Sequence, residues 1–168
     1  MKLTSAAANK MIRTLEDRKQ YLLQRESNDS TYVLAEDEKE DIPAYDFGEC
    51  NAQIDEIDGK IRILKHALNV FNTTKVLPIG ITIDAALVEM AQLNNKLPRL
   101  DMMRKARNKT RLSGMSAARR DIAEYQYLNY DPEEVEKMYE RDLSRVQAIQ
   151  LSLDRVNQTE EFEVDIEG

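Results

Sequence analysis

The chain has no tryptophan, one cysteine, five glycines and four prolines in 168 residues. Each shortage excludes something. Aromatics reach only 6%, which argues against aromatic-cored sandwiches and Rossmann-type sheets. So little glycine and proline excludes a loop-rich protein. The lone Cys50 has no partner for an internal disulfide, so a reducing cytoplasm is the expected compartment. No apolar run is long enough to span a bilayer. The first residues, MKLTSAAANKMIRTLEDRK, hold no apolar core of the kind a secretory signal needs.

What is present is charge and periodicity. Charged residues make up 33% and apolar residues 42%. Ile54, Ile57, Ile61, Leu64, Leu68 and Phe71 recur at alternating intervals of three and four. That is an a/d seam, by which one helix packs along another. A second seam runs through Val135, Tyr139, Val146, Ile149, Leu153 and Val156. The expected fold is all-α: an antiparallel coiled-coil hairpin or four-helix bundle forming one domain over residues 1–168. Helices are expected at about 3–25, 51–71, 83–106 and 132–158. The first carries Ala8, Leu15 and Leu22 at one heptad position. Thr82 is the expected N-cap of the third, with Asp84 in its first turn. Asp131 and Pro132 open the fourth, followed by Glu133 and Glu134 at its positive end. Pro98 predicts a kink or break in the third. Gly59 sits inside the second helix, off the seam.

A minor two-stranded β element is expected beside the helices. Thr31–Leu34 is β-favouring, and residues 122–128 alternate, placing Tyr125 and Tyr127 on one face. These two segments are expected to pair. The tail alternates Phe162, Val164 and Ile166, the pattern of an edge strand.

The order of these pieces resembles a bacterial family of small helical proteins known as septicolysin-like. Leu68-Asn69-Val70-Phe71-Asn72-Thr73-Thr74 resembles its I-N-x-T-N turn. Thr82-Ile83-Asp84-Ala85-Ala86-Leu87 resembles its T-[LI]-x-[DE]-A-L helix start. Arg155-Val156-Asn157-Gln158-Thr159 resembles its L-N-W-T-T-E-L ending, with Gln158 in place of the tryptophan. The likeness covers roughly residues 50–165. It implies a helical-hairpin fold with a small strand pair and no established activity. Pore formation fits poorly, because the sequence carries no set of amphipathic membrane strands and no tryptophan belt.

Charge is unevenly spread. Residues 96–120 hold nine basic side chains against one acidic, whereas residues 121–168 hold four against fourteen, within a net charge of −7. The basic group, Lys96, Arg99, Arg104, Lys105, Arg107, Lys109, Arg111, Arg119 and Arg120, is the leading anion-binding candidate. No aromatic lies between 96 and 120, so base stacking has no support within that segment. Pairing with acidic residues 36–41 or 131–142 is the plainer account. Asn72, Thr73 and Thr74 form a second candidate, a polar turn at a helix end, whose simpler role is capping.

Other chemistry is thin. His66 has no Cys, His or carboxylate at ligand spacing. Cys50 has no neighbour to lower its thiol pKa. Glu133, Glu134, Glu136 and Glu140 permit a metal-dependent hydrolase, but a solvated helix face accounts for them as well. Asp142, at a d position, and Asn94 are candidate devices for fixing helix register. The expectation is therefore a cytoplasmic, non-enzymatic interaction or scaffold protein. It needs no cofactor and associates with itself through helix faces, or with a protein partner. An anion- or nucleic-acid-binding module is the alternative.

Overall fold

The computed structural model describes residues 1–35, 42–111 and 124–166. Eight elements follow in order: β1 (Lys2–Thr4), α1 (Ser5–Asp29), α2 (Phe47–Thr74), α3 (Ile83–Arg104), β2 (Lys109–Arg111), β3 (Tyr125–Tyr127), α4 (Pro132–Thr159) and β4 (Glu161–Glu163). The fold is mostly helical, as the periodicity predicts. Its contacts gather into two compact units: residues 1–75 with 154–168, and residues 76–153.

In the first unit, α1 and α2 run antiparallel. Leu22, near the end of α1, clusters with Cys50 and Ile57, near the start of α2. Ile12, earlier on α1, clusters with Leu64, further along α2. The buried residues of α2 are Cys50, Ile57, Leu64 and Phe71, one every seventh position. The other heptad line, Ile54, Ile61 and Leu68, is half-buried. On α1, Ser5, Ala8, Ile12 and Leu22 are buried and follow the same three-and-four spacing. Lys19 falls on that line, where an apolar side chain is expected. It reaches Asp58 on α2 at 2.6 and 2.8 Å, which keeps the charge paired while its stem covers the seam. Asp46 caps α2 by accepting from the Glu49 amide.

The ends of the described chain meet in this unit. β1 pairs antiparallel with β4, with Leu3 opposite Phe162. Phe162 stacks on Phe71 at 4.9 Å between ring centres. Val164, which is buried, completes the Ile12–Leu64 cluster. The tail is thus an edge strand, as its alternation predicts.

The second unit opens with a tight turn. The Gly80 amide donates to the Leu77 carbonyl, and the Leu77 amide donates to the Ile81 carbonyl. Gly80 has φ 85°, a region that penalises any side chain. No atom lies within 4 Å of where its Cβ would stand, so the penalty is purely conformational. Gly80→Ala is expected to cost about 1 kcal/mol, readable as a small shift in a urea melt. An unchanged midpoint would show that the turn relaxes freely. Thr82 then caps α3 by accepting from the Ala85 amide.

Three expectations need correction. Thr31–Leu34 forms no strand. The alternating segment pairs instead with Lys109–Arg111, register Lys109↔Tyr127, Thr110↔Gln126 and Arg111↔Tyr125. Among the described residues, β-propensity at 31–34 has no partner strand to satisfy it, and a strand exists only through its ladder. Of the kink or break expected at Pro98, the break is overturned: α3 runs through it. Proline removes one amide donor, and Asn94, four residues back, is exposed, so water can satisfy the bare carbonyl. The predicted start of helix one at residue 3 is taken by β1, with Thr4 as the cap of α1. Gly59 has nothing within 4 Å of a Cβ position and is simply tolerated.

Candidate functional site

The basic segment begins on α3 and continues through β2, and the structure divides its charges into two sets. The first set is neutralised within the second unit. Lys96 reaches Asp142 on α4 at 2.6 Å. Arg104 grips the Glu136 carboxylate at 2.7 and 3.0 Å, pairs with Asp101, and lies 4.1 Å over the Tyr139 ring. Lys105 pairs with Asp101 at 2.6 Å. Arg145 on α4 makes a forked contact with Glu89 on α3 at 2.7 and 2.8 Å. Because 89, 96 and 104 meet 145, 142 and 136 in turn, α3 and α4 run antiparallel under a ladder of ion pairs. Pairing with the acidic stretch 131–142 accounts for Lys96 and Arg104.

The ladder perturbs its members in the expected directions. Hydrogen bonds from Arg145 hold Glu89 below the usual carboxylate range. Lys105 first, then Arg104, do the same for Asp101. Burial alone would push the Asp142 carboxyl up, but bonds from Lys96 and Arg141 outweigh it and leave the group lowered. Asp142 is 4% exposed. It stands in line with Val135 and Ile149, the buried residues seven positions either side.

The second set remains in solvent. Arg99, Arg107, Lys109 and Arg111 are exposed, and none of them forms an ion pair among the described residues. Arg119 and Arg120 lie outside the described residues, as do the acidic residues 36–41. β2 and β3 are exposed along their whole length. The Lys109 ammonium stands 4.0 Å over the Tyr125 ring and 5.4 Å from that of Tyr127. These tyrosines are the residues that sequence reasoning missed as part of the basic group. Their alternation was legible; their partner strand was not, because Lys109-Thr110-Arg111 carries no apolar pattern. The Tyr130 hydroxyl donates to the Met103 carbonyl at 3.0 Å and ties the start of α4 to the end of α3.

The turn candidates lie inside α2. The Thr73 hydroxyl donates to the Asn69 carbonyl at 2.9 Å and that of Thr74 to Val70 at 2.7 Å. Asn72 is half-buried. The hydroxyls are thus spent on the carbonyls of the last helical turns.

His66 is exposed on α2. Cys50 is buried, its Sγ 3.9 Å from the Leu22 carbonyl oxygen. Glu133, Glu134 and Glu140 are exposed, and Glu136 is held by Arg104. Among the described residues, no three His, Cys, Asp or Glu side chains gather at metal-binding distance. At the Cys50 end of the first unit, the Tyr45 hydroxyl donates to Glu26 at 2.6 Å, and that bond with the carboxylate pushes its pKa up to about 12. The same unit holds a hollow of about 800 Å³ with Met11, Leu15, Leu64 and Ile166 in its walls. Lys60, also in its lining, is paired with Glu56. No described helix is long and apolar enough to cross a membrane.

No protein-family profile and no curated protein matches the chain. In structure it is similar to a functionally unknown conserved protein from Corynebacterium diphtheriae, known from its crystal structure. The two share 18% identity and align with a TM-score of 0.62 over 97% of this chain and 100% of the other. That likeness is one of fold.

Proposed function

We propose that the chain is a non-enzymatic interaction or scaffold protein that associates with itself through helix faces. In this reading the α1–α2 and α3–α4 pairs are antiparallel coiled-coil hairpins, and pairing between copies builds the larger helical bundle. The observation that carries it is the state of α3. This helix of 22 residues buries only Ile83, Ala86 and Leu100. Val88, Ala91, Asn95, Pro98 and Met102 recur at intervals of three and four and are all exposed. Val88 is 52% and Met102 70% exposed. Four of these five, all but Asn95, are apolar; single exposed apolar residues need no explanation, but such a line at seam spacing is what a second helix covers. The half-buried line Ile54, Ile61 and Leu68 on α2 supports the same reading.

The cytoplasm suits this protein, because its single thiol stays reduced there. The α2 ending and α3 start also support kinship with the septicolysin-like proteins, which brings no activity with it. Sedimentation velocity between about 1 and 100 μM is the test. A homo-oligomer is expected, and Val88→Glu with Met102→Glu is expected to weaken it at least tenfold by placing charge in the buried centre of the contact. A strictly compact monomer across that range would sink the proposal.

A further inference from the structure

We infer that the β2–β3 ribbon is a binding surface for single-stranded nucleic acid, with Tyr125 and Tyr127 as stacking platforms and Lys109 and Arg111 as phosphate contacts. The register places these four residues on one face. Directly opposed residues of an antiparallel pair point to the same side, and so do residues two apart. Lys109 opposes Tyr127 and Arg111 opposes Tyr125, so the two cations line one strand and the two rings line the other, each cation facing a ring across the ladder. Thr110 and Gln126 take the other face.

Three further observations favour this occupant. Both strands are solvent-exposed throughout, with Tyr125 at 40% and Tyr127 at 63%, so the rings are not core residues. The charges near them are not neutralised from inside: Arg107, Lys109 and Arg111 lack ion pairs among the described residues, although the neighbouring Lys96, Arg104 and Lys105 all have them. From Arg99 to Arg111 the chain carries six basic residues and one acidic, a local field opposite in sign to the whole molecule. Cations supply the attraction to the backbone, and flat exposed rings supply the sequence-tolerant stacking that single strands offer and duplexes hide. Lys109 already lies over the Tyr125 ring. Such an exposed contact is weak, and a base can take the ring face while the ammonium turns to the adjoining phosphate.

The plain alternative is that the tyrosines only hold the ribbon together as cross-strand partners. Fluorescence anisotropy of labelled single-stranded oligo(dT) and oligo(U) with the full chain, at about 50 mM salt, separates the two. The inference expects binding that weakens steeply with salt. Tyr125→Leu with Tyr127→Leu, which keeps every charge, should weaken it about tenfold or more. Tyr125→Phe with Tyr127→Phe keeps the rings and should retain it. Lys109→Gln with Arg111→Gln should flatten the salt dependence by about two phosphate contacts. Because the chain has no tryptophan, its tyrosine emission is readable directly. Quenching by unlabelled oligo(dT) in the unaltered protein, reduced in the Phe variant at equal occupancy, tests the stacking even if the Leu variant misfolds. Absence of binding overturns the inference. So does binding that the folded Leu variant retains in full, or that duplex DNA matches without any dependence on the tyrosines.

Discussion

Leu64→Ala is expected to cost about 3 kcal/mol, as befits a leucine with no exposed surface. Leu64 lies at the middle of the first unit, packed with Ile12 and Val164, and Phe162 and Leu3 close over the same cluster. Truncation removes buried methyl groups and leaves a void that three separate elements would have to move to fill: α1, the tail and α2 itself. The neighbouring hollow, lined by Leu64, offers a route for partial collapse or water entry, so a value near the middle of the usual range is expected rather than the top. In urea the midpoint should fall by roughly 1.5 M. Lys65→Ala is the control. Its side chain is exposed and pairs with Glu16 at the surface, and the expected change is within about 0.5 kcal/mol. A cost below about 1 kcal/mol for Leu64→Ala would mean that the cluster is not packed as described.

The second large effect concerns Asp142, a buried charge on a helix line that otherwise carries apolar residues. Removing one partner of a buried pair strands the other, whereas replacing a charge with a well-packed apolar side chain avoids that. Lys96→Met would leave Asp142 with Arg141 alone and is expected to cost about 2 kcal/mol, less than a fully enclosed pair because Lys96 itself is partly in water. Asp142→Leu is expected to be neutral or stabilising by about 1 kcal/mol, since Lys96 can turn to solvent and the seam becomes continuous. The order of the two variants is the sharp part: a destabilised Asp142→Leu beside an unaffected Lys96→Met would overturn it. The Leu variant should also assemble less uniquely, because a polar group in a seam restricts which registers are tolerable.

Acid should reveal the same ladder. The carboxyls of Asp142, Asp101 and Glu89 are all lowered in the folded protein. A group with a lowered folded pKa contributes stability that is fully present above its unfolded value and is lost as pH falls through the folded one. Stability should therefore hold from neutral pH to about 5 and decline below about 4, where unfolded carboxyls begin to bind protons. In the Asp142→Leu variant that decline should be shallower. Thermal melts of the two proteins across this range make the comparison, and identical slopes would remove Asp142 as a contributor.

The helices were legible because their burial repeats. Cys50, Ile57, Leu64 and Phe71 lie seven apart in the structure as in the sequence, and Asp131-Pro132 marks the start of α4 by hydrogen bonding that depends on local residues alone. Helix ends were read less well: α2 was read short by four residues at its start and three at its end, since the polar Asp46 cap and the Thr73–Thr74 turn extend it beyond its apolar stripe, whereas α3 was read two residues long. The strands were harder. A three-residue strand has almost no local signature; β1 is specified by a partner at the far end of the described chain, and β2 by one beyond an intervening segment. The candidate site followed suit. Its basic half was visible as composition, but its aromatic half became part of the site only through a pairing that periodicity cannot encode.

The pairing of β1 with β4 sets an order of events during synthesis. The Ile12–Leu64 cluster has two of its three buried members once α2 has been made, yet its third, Val164, and the covering Phe162 are translated about a hundred residues later. Until then the nascent α1–α2 hairpin presents Ile12, Leu64 and Phe71 to whatever surrounds the ribosome, and β1 has an unpaired edge. β4 acts as the latch of the first unit, so the hairpin is exposed to chaperones or to a sister chain until that strand emerges.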